Sequence, residues 1–360
     1  MPEIKTVLGS VSADEFGVTS MHEHMLSNGS VLHERERHLI PHDISVDPDE
    51  AVSLNNIGLL RRTFFLTWDA VNIDDEATMI EEVTDFKKSG GSAILDLSVP
   101  GLRRDILSVA RISKESGVHV VTSTGLYTED SWPLQFKDMT IKEYMKYMYG
   151  EIEEGIDDTV IKAGHVKIGV LQLSDRQEKV IRAASRVADQ TGLSLTIHPG
   201  FTADSDGYVI AEILKTESVK PERVIFAHIQ NFLVERNIKK LVTNPGTWQL
   251  NIDYARKLLD LGYNLSFDSF GQIYDRELAG TVQPTDWQRM GALISLINSG
   301  YASQLIVGTD TFLKFSLRRF GGEGYCRLTK YVIPLLNEMG ISERHINMIT
   351  IENPRRLLSR

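Results

Sequence analysis

Eight short runs of β-branched and apolar residues, near 18–25, 92–99, 119–126, 165–171, 194–200, 224–229, 263–270 and 305–311, are spaced along the whole chain. Between them lie amphipathic stretches long enough for helices, at 79–88, 105–116, 140–153, 175–190, 208–216, 252–261, 287–298 and 327–338. Consecutive parallel strands need a right-handed crossover, and a helix supplies it. Eight such units predict an α/β fold, a closed (β/α)8 TIM barrel whose reacting end lies at the carboxyl ends of the strands.

Candidate chemistry gathers at those ends. His22 and His24 close V-T-S-M-H-E-H, and residues two apart on a strand share a face. His198 closes S-L-T-I-H, His228 closes V-I-F-A-H, and Asp310 closes L-I-V-G-T-D. Lys167 sits inside H-V-K-I-G-V-L, where an ammonium is costly to bury. Each has an ordinary structural role when taken alone: a bonded rim imidazole, a turn-capping aspartate, a lysine reaching for water. Six at corresponding strand ends predict a ligand set for two divalent metal ions. A neutral lysine is a poor bridge between cations, but its amine reacts with carbon dioxide to give an anionic carbamate. His22 and His24 are expected to hold one ion with Asp310, and His198 and His228 the other. Paired ions activate water and polarise an oxygen of the substrate, which makes hydrolysis the expected reaction, with Asp310 as proton acceptor.

Three pieces exceed a minimal barrel. Residues 3–17 read as a two-stranded flap with a turn near Ser12–Asp14. Residues 26–75 form a long insertion after the first strand, rich in charge and aromatics. Residues 312–325 form a basic, glycine-punctuated loop after the eighth. No low-complexity linker interrupts the 360 residues, so a single domain is expected. The net charge of −10 argues against nucleic acid or an anionic membrane as partner. Cys326 is the one cysteine, which excludes an internal disulfide framework. No apolar run reaches membrane-spanning length, and the first residues lack a signal-peptide pattern. A soluble, cytoplasmic protein is expected.

The motifs H-E-H-M, L-D-L-S-V-P-G-L-R-R-D (95–105), S-T-G-L-Y (123–127), the stretch 151–169 ending G-H-V-K-I-G, I-H-P-G (197–200), F-D-S-F-G (267–271), G-G-E-G-Y (321–325) and the terminal I-E-N-P-R-R-L-L resemble the phosphotriesterase-like family of the amidohydrolase superfamily, over essentially the whole chain. The resemblance implies a binuclear barrel hydrolase with an N6-carboxylated lysine, here Lys167, and a homodimer. Zinc is the first expectation for the ions, with Mn, Co or Fe as alternatives. Such proteins hydrolyse lactones, organophosphate triesters or, in some branches, amides and phosphorylated sugar lactones. A lactonase is the first expectation; a phosphotriesterase or amidase on the same site is the alternative. Tyr127 resembles a tyrosine that borders the metals in lactonase-type relatives. Lys314, Arg318 and Arg319 are expected to grip an anionic substrate, since barrels often bind phosphate near this loop. Arg103 and Arg104 form a second basic pair. The aromatic segment 63–68 has three possible uses: a dimer face, a cover for the barrel mouth, or internal packing.

Overall fold

The computed structural model describes residues 2–41, 44, 46–102 and 105–360. Arg103 and Arg104 lie outside the described residues. A hairpin of β1 (Glu3–Thr6) and β2 (Gly9–Ser12) precedes the first barrel strand, β3 (Val18–Glu23). Within the insertion, β4 (Ser27–Asn28) pairs antiparallel with β5 (Asn72–Ile73). The barrel continues with β6 (Gly91–Asp96), β7 (His119–Leu126), β8 (His165–Gly169), β9 (Leu195–His198), β10 (Val224–Phe226), β11 (Asn264–Phe267) and β12 (Leu305–Val307). These strands are parallel and run in the order β3-β6-β7-β8-β9-β10-β11-β12. The two edges meet where Asp310 N–H donates to the His22 carbonyl over 2.8 Å, and the sheet becomes a (β/α)8 barrel.

Local chemistry accounts for the helices that separate the strands. Asp75 caps Glu76–Lys88, Asp105 caps Ile106–Ser116 and Ser174 caps Asp175–Thr191, each through a side-chain oxygen that accepts from a free backbone N–H of the first turn. Thr140 and Glu143 form a reciprocal capping box at the start of Ile141–Glu153. Val180, Ile181, Ala184, Val187 and Ala188 recur at helical spacing and turn into the main core, against strand residues such as Val166, Ile168 and Ile197.

The flap differs from expectation in its turn. The chain reverses at Val7–Leu8, where Gly9 supplies a φ of +117°. Ser12 instead caps the short helical turn Ala13–Glu15, because Ser12 and Glu15 stand at capping-box spacing. Val7 N–H donates to the Val120 carbonyl, so the flap covers the amino ends of the strands, opposite the candidate ligands.

The insertion folds over the other end. Val52, Leu60, Phe64, Phe65, Leu66 and Val71 make a second core together with Leu313 and Phe315 from the loop after β12. Internal packing is therefore one use of the buried aromatics of segment 63–68, and Phe64 also covers the barrel mouth. Lys314 pairs with Asp69 and Asp74, Arg318 with Asp85, and Arg319 reaches Thr78 at 3.5 Å while its backbone N–H donates to Glu82.

Candidate active site

Strand alternation and backbone geometry bring the six expected donors to one end of the barrel. His22 and His24 each direct Nε2 at Asp310 Oδ1, both over 3.4 Å. His228 faces the same carboxylate from 3.8 Å. The rings of His198 and His228 lie 4.5 Å apart, and those of His22 and His228 4.8 Å apart. Ligand atoms of His22, His228 and Asp310 all lie within 4.8 Å of one another, a grouping able to hold a metal ion.

The backbone is strained where the donors leave the strands. His228, Ser269 and Asp310 have φ of +58°, +68° and +47°, a region non-glycine residues seldom enter. Asp310 is held there by its neighbours. The Glu23 carboxylate accepts from Thr309 N–H (2.8 Å), Thr309 Oγ1 (2.7 Å) and Thr311 N–H (3.0 Å), and the Gln272 amide donates to the Asp310 carbonyl.

Asp268, at the end of β11, is a site residue outside the ligand set expected from the sequence. Its Oδ2 meets Nδ1 of His22 and its Oδ1 meets Nδ1 of His228, each at 2.8 Å. One buried carboxylate thus orients two imidazoles, the arrangement that fixes tautomer and ring direction in metal sites. Ser98 does the same for His24 Nδ1 at 3.0 Å. The signal was in the sequence: F-D-S-F-G ends a strand run with a carboxylate, as L-I-V-G-T-D does.

Lys167 is fully buried in β8, and its Nζ has no hydrogen-bond partner among the described residues. Its backbone is crowded by Gly125 of β7, where a Cβ would stand 1.9 Å from the Lys167 carbonyl oxygen. Burial pushes the lysine pKa down to about 8, against the opposing pull of Asp310 and Asp268. Burial, aided by Lys167, brings His22 down to about 4; burial and His228 hold His198 well below its usual value. At neutral pH these two imidazoles are neutral, with a lone pair available to a metal. An orphaned amine among such donors fits a site for divalent ions bridged through a modified lysine. An apolar structural core would leave none of these groups unpaired.

A cavity of about 140 Å³ opens over the donors. Phe64, Phe201 and Phe312 form apolar walls, and Tyr127 packs its edge against His198 with ring centroids 5.6 Å apart. Burial raises the Tyr127 pKa to about 12, so its phenol is a hydrogen-bond donor at neutral pH. The expected basic grip is a different one. Lys314, Arg318 and Arg319 do not line this cavity: Lys314 is taken up by Asp69 and Asp74 of the insertion, Arg318 by Asp85 of helix Glu76–Lys88, and Arg319 lies against Thr78 of the same helix. Among the described residues, the arginines that line it are Arg35, Arg236 and Arg276. Arg35 comes from the insertion, Arg236 from the connection after β10 and Arg276 from the connection after β11.

A closed barrel with this cluster at its carboxyl end defines a barrel enzyme of hydrolytic type. The chain belongs to the phosphotriesterase family, whose model matches residues 2–358, and it is a hydrolase. It is similar to an N-acetyltaurine hydrolase from Dictyostelium discoideum, 29% identical over 99% of this chain and 98% of that protein. A phosphotriesterase-related protein from Nematostella vectensis is 27% identical over 99% of this chain and 98% of its own. Among solved structures, a resiniferatoxin-binding protein from Rhodobacter sphaeroides superposes with a TM-score of 0.84 at 26% identity, covering 99% of this chain and 94% of that one.

Proposed function

We propose that this hydrolase cleaves the C–N bond of a small N-acyl amide, using two divalent ions held by His22, His24, His198, His228, Asp310 and a carboxylated Lys167. The observation that carries the reading is the buried Lys167 amine, without a hydrogen-bond partner among the described residues, beside neutral imidazoles. Its lone pair adds to carbon dioxide and the nitrogen loses one proton, which gives an anionic carbamate able to accept two cations. Zinc suits the mixed nitrogen and oxygen donors, with Mn, Co or Fe as substitutes. When bound, such ions supply Lewis acidity toward water and toward the carbonyl oxygen.

The residues of the chain do the rest. Asp310 takes a proton from the attacking water as the C–O bond forms, and returns it to the departing nitrogen as the C–N bond breaks. Tyr127 O–H stands beside His198, where it can donate to the substrate's oxygen. Phe64, Phe201 and Phe312 limit the entry of bulk water. A space of about 140 Å³ over the donors favours a small acyl unit, with the rest of the substrate reaching toward the mouth. An acetyl amide meets that limit. Similarity to N-acetyltaurine hydrolases over 99% of the chain favours the amide. Lactone hydrolysis is the second reading, because a small lactone offers the same electrophile to the same groups.

The test is turnover of N-acetyltaurine and of a small-lactone panel by metal-replete protein in 18O-labelled water. Amide turnover with one label in the released acid is the expected result. Lactone turnover alone selects the second reading, and no turnover of either with both ions bound overturns both. A homodimer is proposed as the assembly, to be read by sedimentation; the buried residues of segment 63–68 are unavailable to its interface.

A further inference from the structure

The three arginines at the cavity differ in what already neutralises them. Arg35 is held by Asp130, with Nε to Oδ2 at 2.8 Å and Nη2 to Oδ1 at 3.0 Å, and it also reaches Thr128. Arg276 is held by Glu36, through Nε at 3.2 Å and through Nη2. Arg236 has no carboxylate within ion-pairing distance among the described residues. Its Nε donates to the Val282 carbonyl at 3.1 Å, and its guanidinium lies 5.5 Å from the centre of the Phe201 ring. Neither Nη atom bonds to a described residue. Burial pushes its pKa down to about 10, opposed by Tyr274 and the more distant Asp275 and aided by Arg276 and Arg289, so it remains cationic at neutral pH.

The group is also rigidly placed. Val282 N–H donates back to the Arg236 carbonyl at 3.0 Å, and Ile238 N–H donates to the Gly280 carbonyl at 2.9 Å. The connection after β10 is therefore stitched to the connection after β11, with the Arg236 fork turned to the cavity. A half-buried guanidinium with no described carboxylate in ion-pairing contact, facing a ligand-sized space and held by main-chain bonds, is arranged to receive an oxyanion.

We propose that Arg236 is the specificity-determining residue of the site, gripping an anionic group (sulfonate, carboxylate or phosphate) carried by the substrate away from the scissile carbonyl. This rests on the hydrolytic reading above for which bond is cut, but not for which group is bound. Arg35 and Arg276 keep their own carboxylates and shape the mouth. The anion completes the ion pair that Arg236 lacks, while the carbonyl lies over the histidines.

The experiment compares matched N-acetyl compounds on metal-replete protein: the aminoethanesulfonate, its carboxylate and phosphate counterparts, and the neutral N-acetylethanolamine. The wild type is expected to prefer an anionic member, chiefly through KM. In Arg236→Met that preference, measured as a ratio of kcat/KM values, should fall roughly 30-fold or more. Arg236→Lys should keep part of it, since the charge survives and the two-pronged fork does not. Which anion shows the largest ratio identifies the headgroup. An unchanged ratio in Arg236→Met, or wild-type indifference to charge, overturns the proposal. If no compound is turned over, calorimetric binding of the same series decides: tighter anion binding lost in Arg236→Met supports it, and equal binding of all members overturns it. Melting curves restrict the comparison to folded variants, with Arg236→Lys as the conservative case.

Discussion

Asp310 donates its backbone N–H to the carbonyl of His22 over 2.8 Å, while its carboxylate stands 3.4 Å from Nε2 of the same histidine. One residue both joins the last strand to the first and faces the cluster of donors. Its side chain is thereby fixed by the closure of the barrel itself, with Glu23 anchoring the threonines on either side.

That double role separates chemistry from architecture in an Asp310→Asn variant. The backbone bond and the side-chain volume persist, so thermal stability should change little. Turnover should fall by about 10²–10⁴-fold, the usual contribution of a positioned proton acceptor. Paired melting and kinetic measurements check this; turnover near that of the wild type would remove Asp310 from proton transfer.

Lys167→Ala deletes the proposed bridging group without leaving an unpaired charge. Bound metal and activity should both be lost, and a small added carboxylate such as acetate or propionate should restore part of each. Metal analysis alongside an activity assay reads the outcome. Full metal content in the unrescued variant would show that the lysine bridges nothing.

The same lysine implies a pH dependence with a definite sign. Burial pushes its pKa down to about 8, and only the neutral amine adds to carbon dioxide. At a fixed concentration of dissolved carbon dioxide, metal uptake by metal-free protein should accelerate as pH rises through about 8 and level off above it. Below that value the ammonium form withholds its lone pair. A rate that stays flat from about pH 6.5 to about 9 would contradict this route.

Asp268→Asn leaves one acceptor oxygen where two imidazoles require two. Either His22 or His228 then loses its orientation. Metal affinity should fall by about 10–100-fold, measured by chelator competition. An unchanged affinity would make the aspartate a bystander.

Gly125→Ala tests the strand contact beneath the lysine. The new Cβ would stand 1.9 Å from the Lys167 carbonyl oxygen, at a φ of +130°. Unfolding free energy should drop by about 1–3 kcal/mol, and metal content should fall with it, because β7 and β8 cannot keep their register. Denaturant titration provides the number, and no loss on either measure would disprove the close approach.

Much of this molecule is legible before any coordinates. The run 194–200 becomes β9, ending on His198, and the run 305–311 contains β12, with Asp310 three residues beyond Val307. Period and composition suffice there, because each segment has one way to bury its apolar face. The basic loop after β12 was legible as charge but not as purpose. Lys314 finds Asp69 from 245 positions away, and no local pattern encodes that pairing. Arg236 and Arg276 sit in stretches with no regular period, so nothing local marks them as cavity residues. Asp268 is the intermediate case, visible as a strand-end carboxylate but not as the partner of two histidines.

By itself, the sequence determined the strand–helix alternation, the carboxyl-end placement of His22, His24, Lys167, His198, His228 and Asp310, and the family to which the chain belongs. These follow from side-chain periodicity and strand ends, which are local. Tertiary structure alone decided which cations face the cavity and which are taken up by carboxylates of the insertion. That outcome depends on loops far apart in the chain meeting over the barrel mouth, where each arginine's partner is set by three-dimensional proximity rather than by spacing.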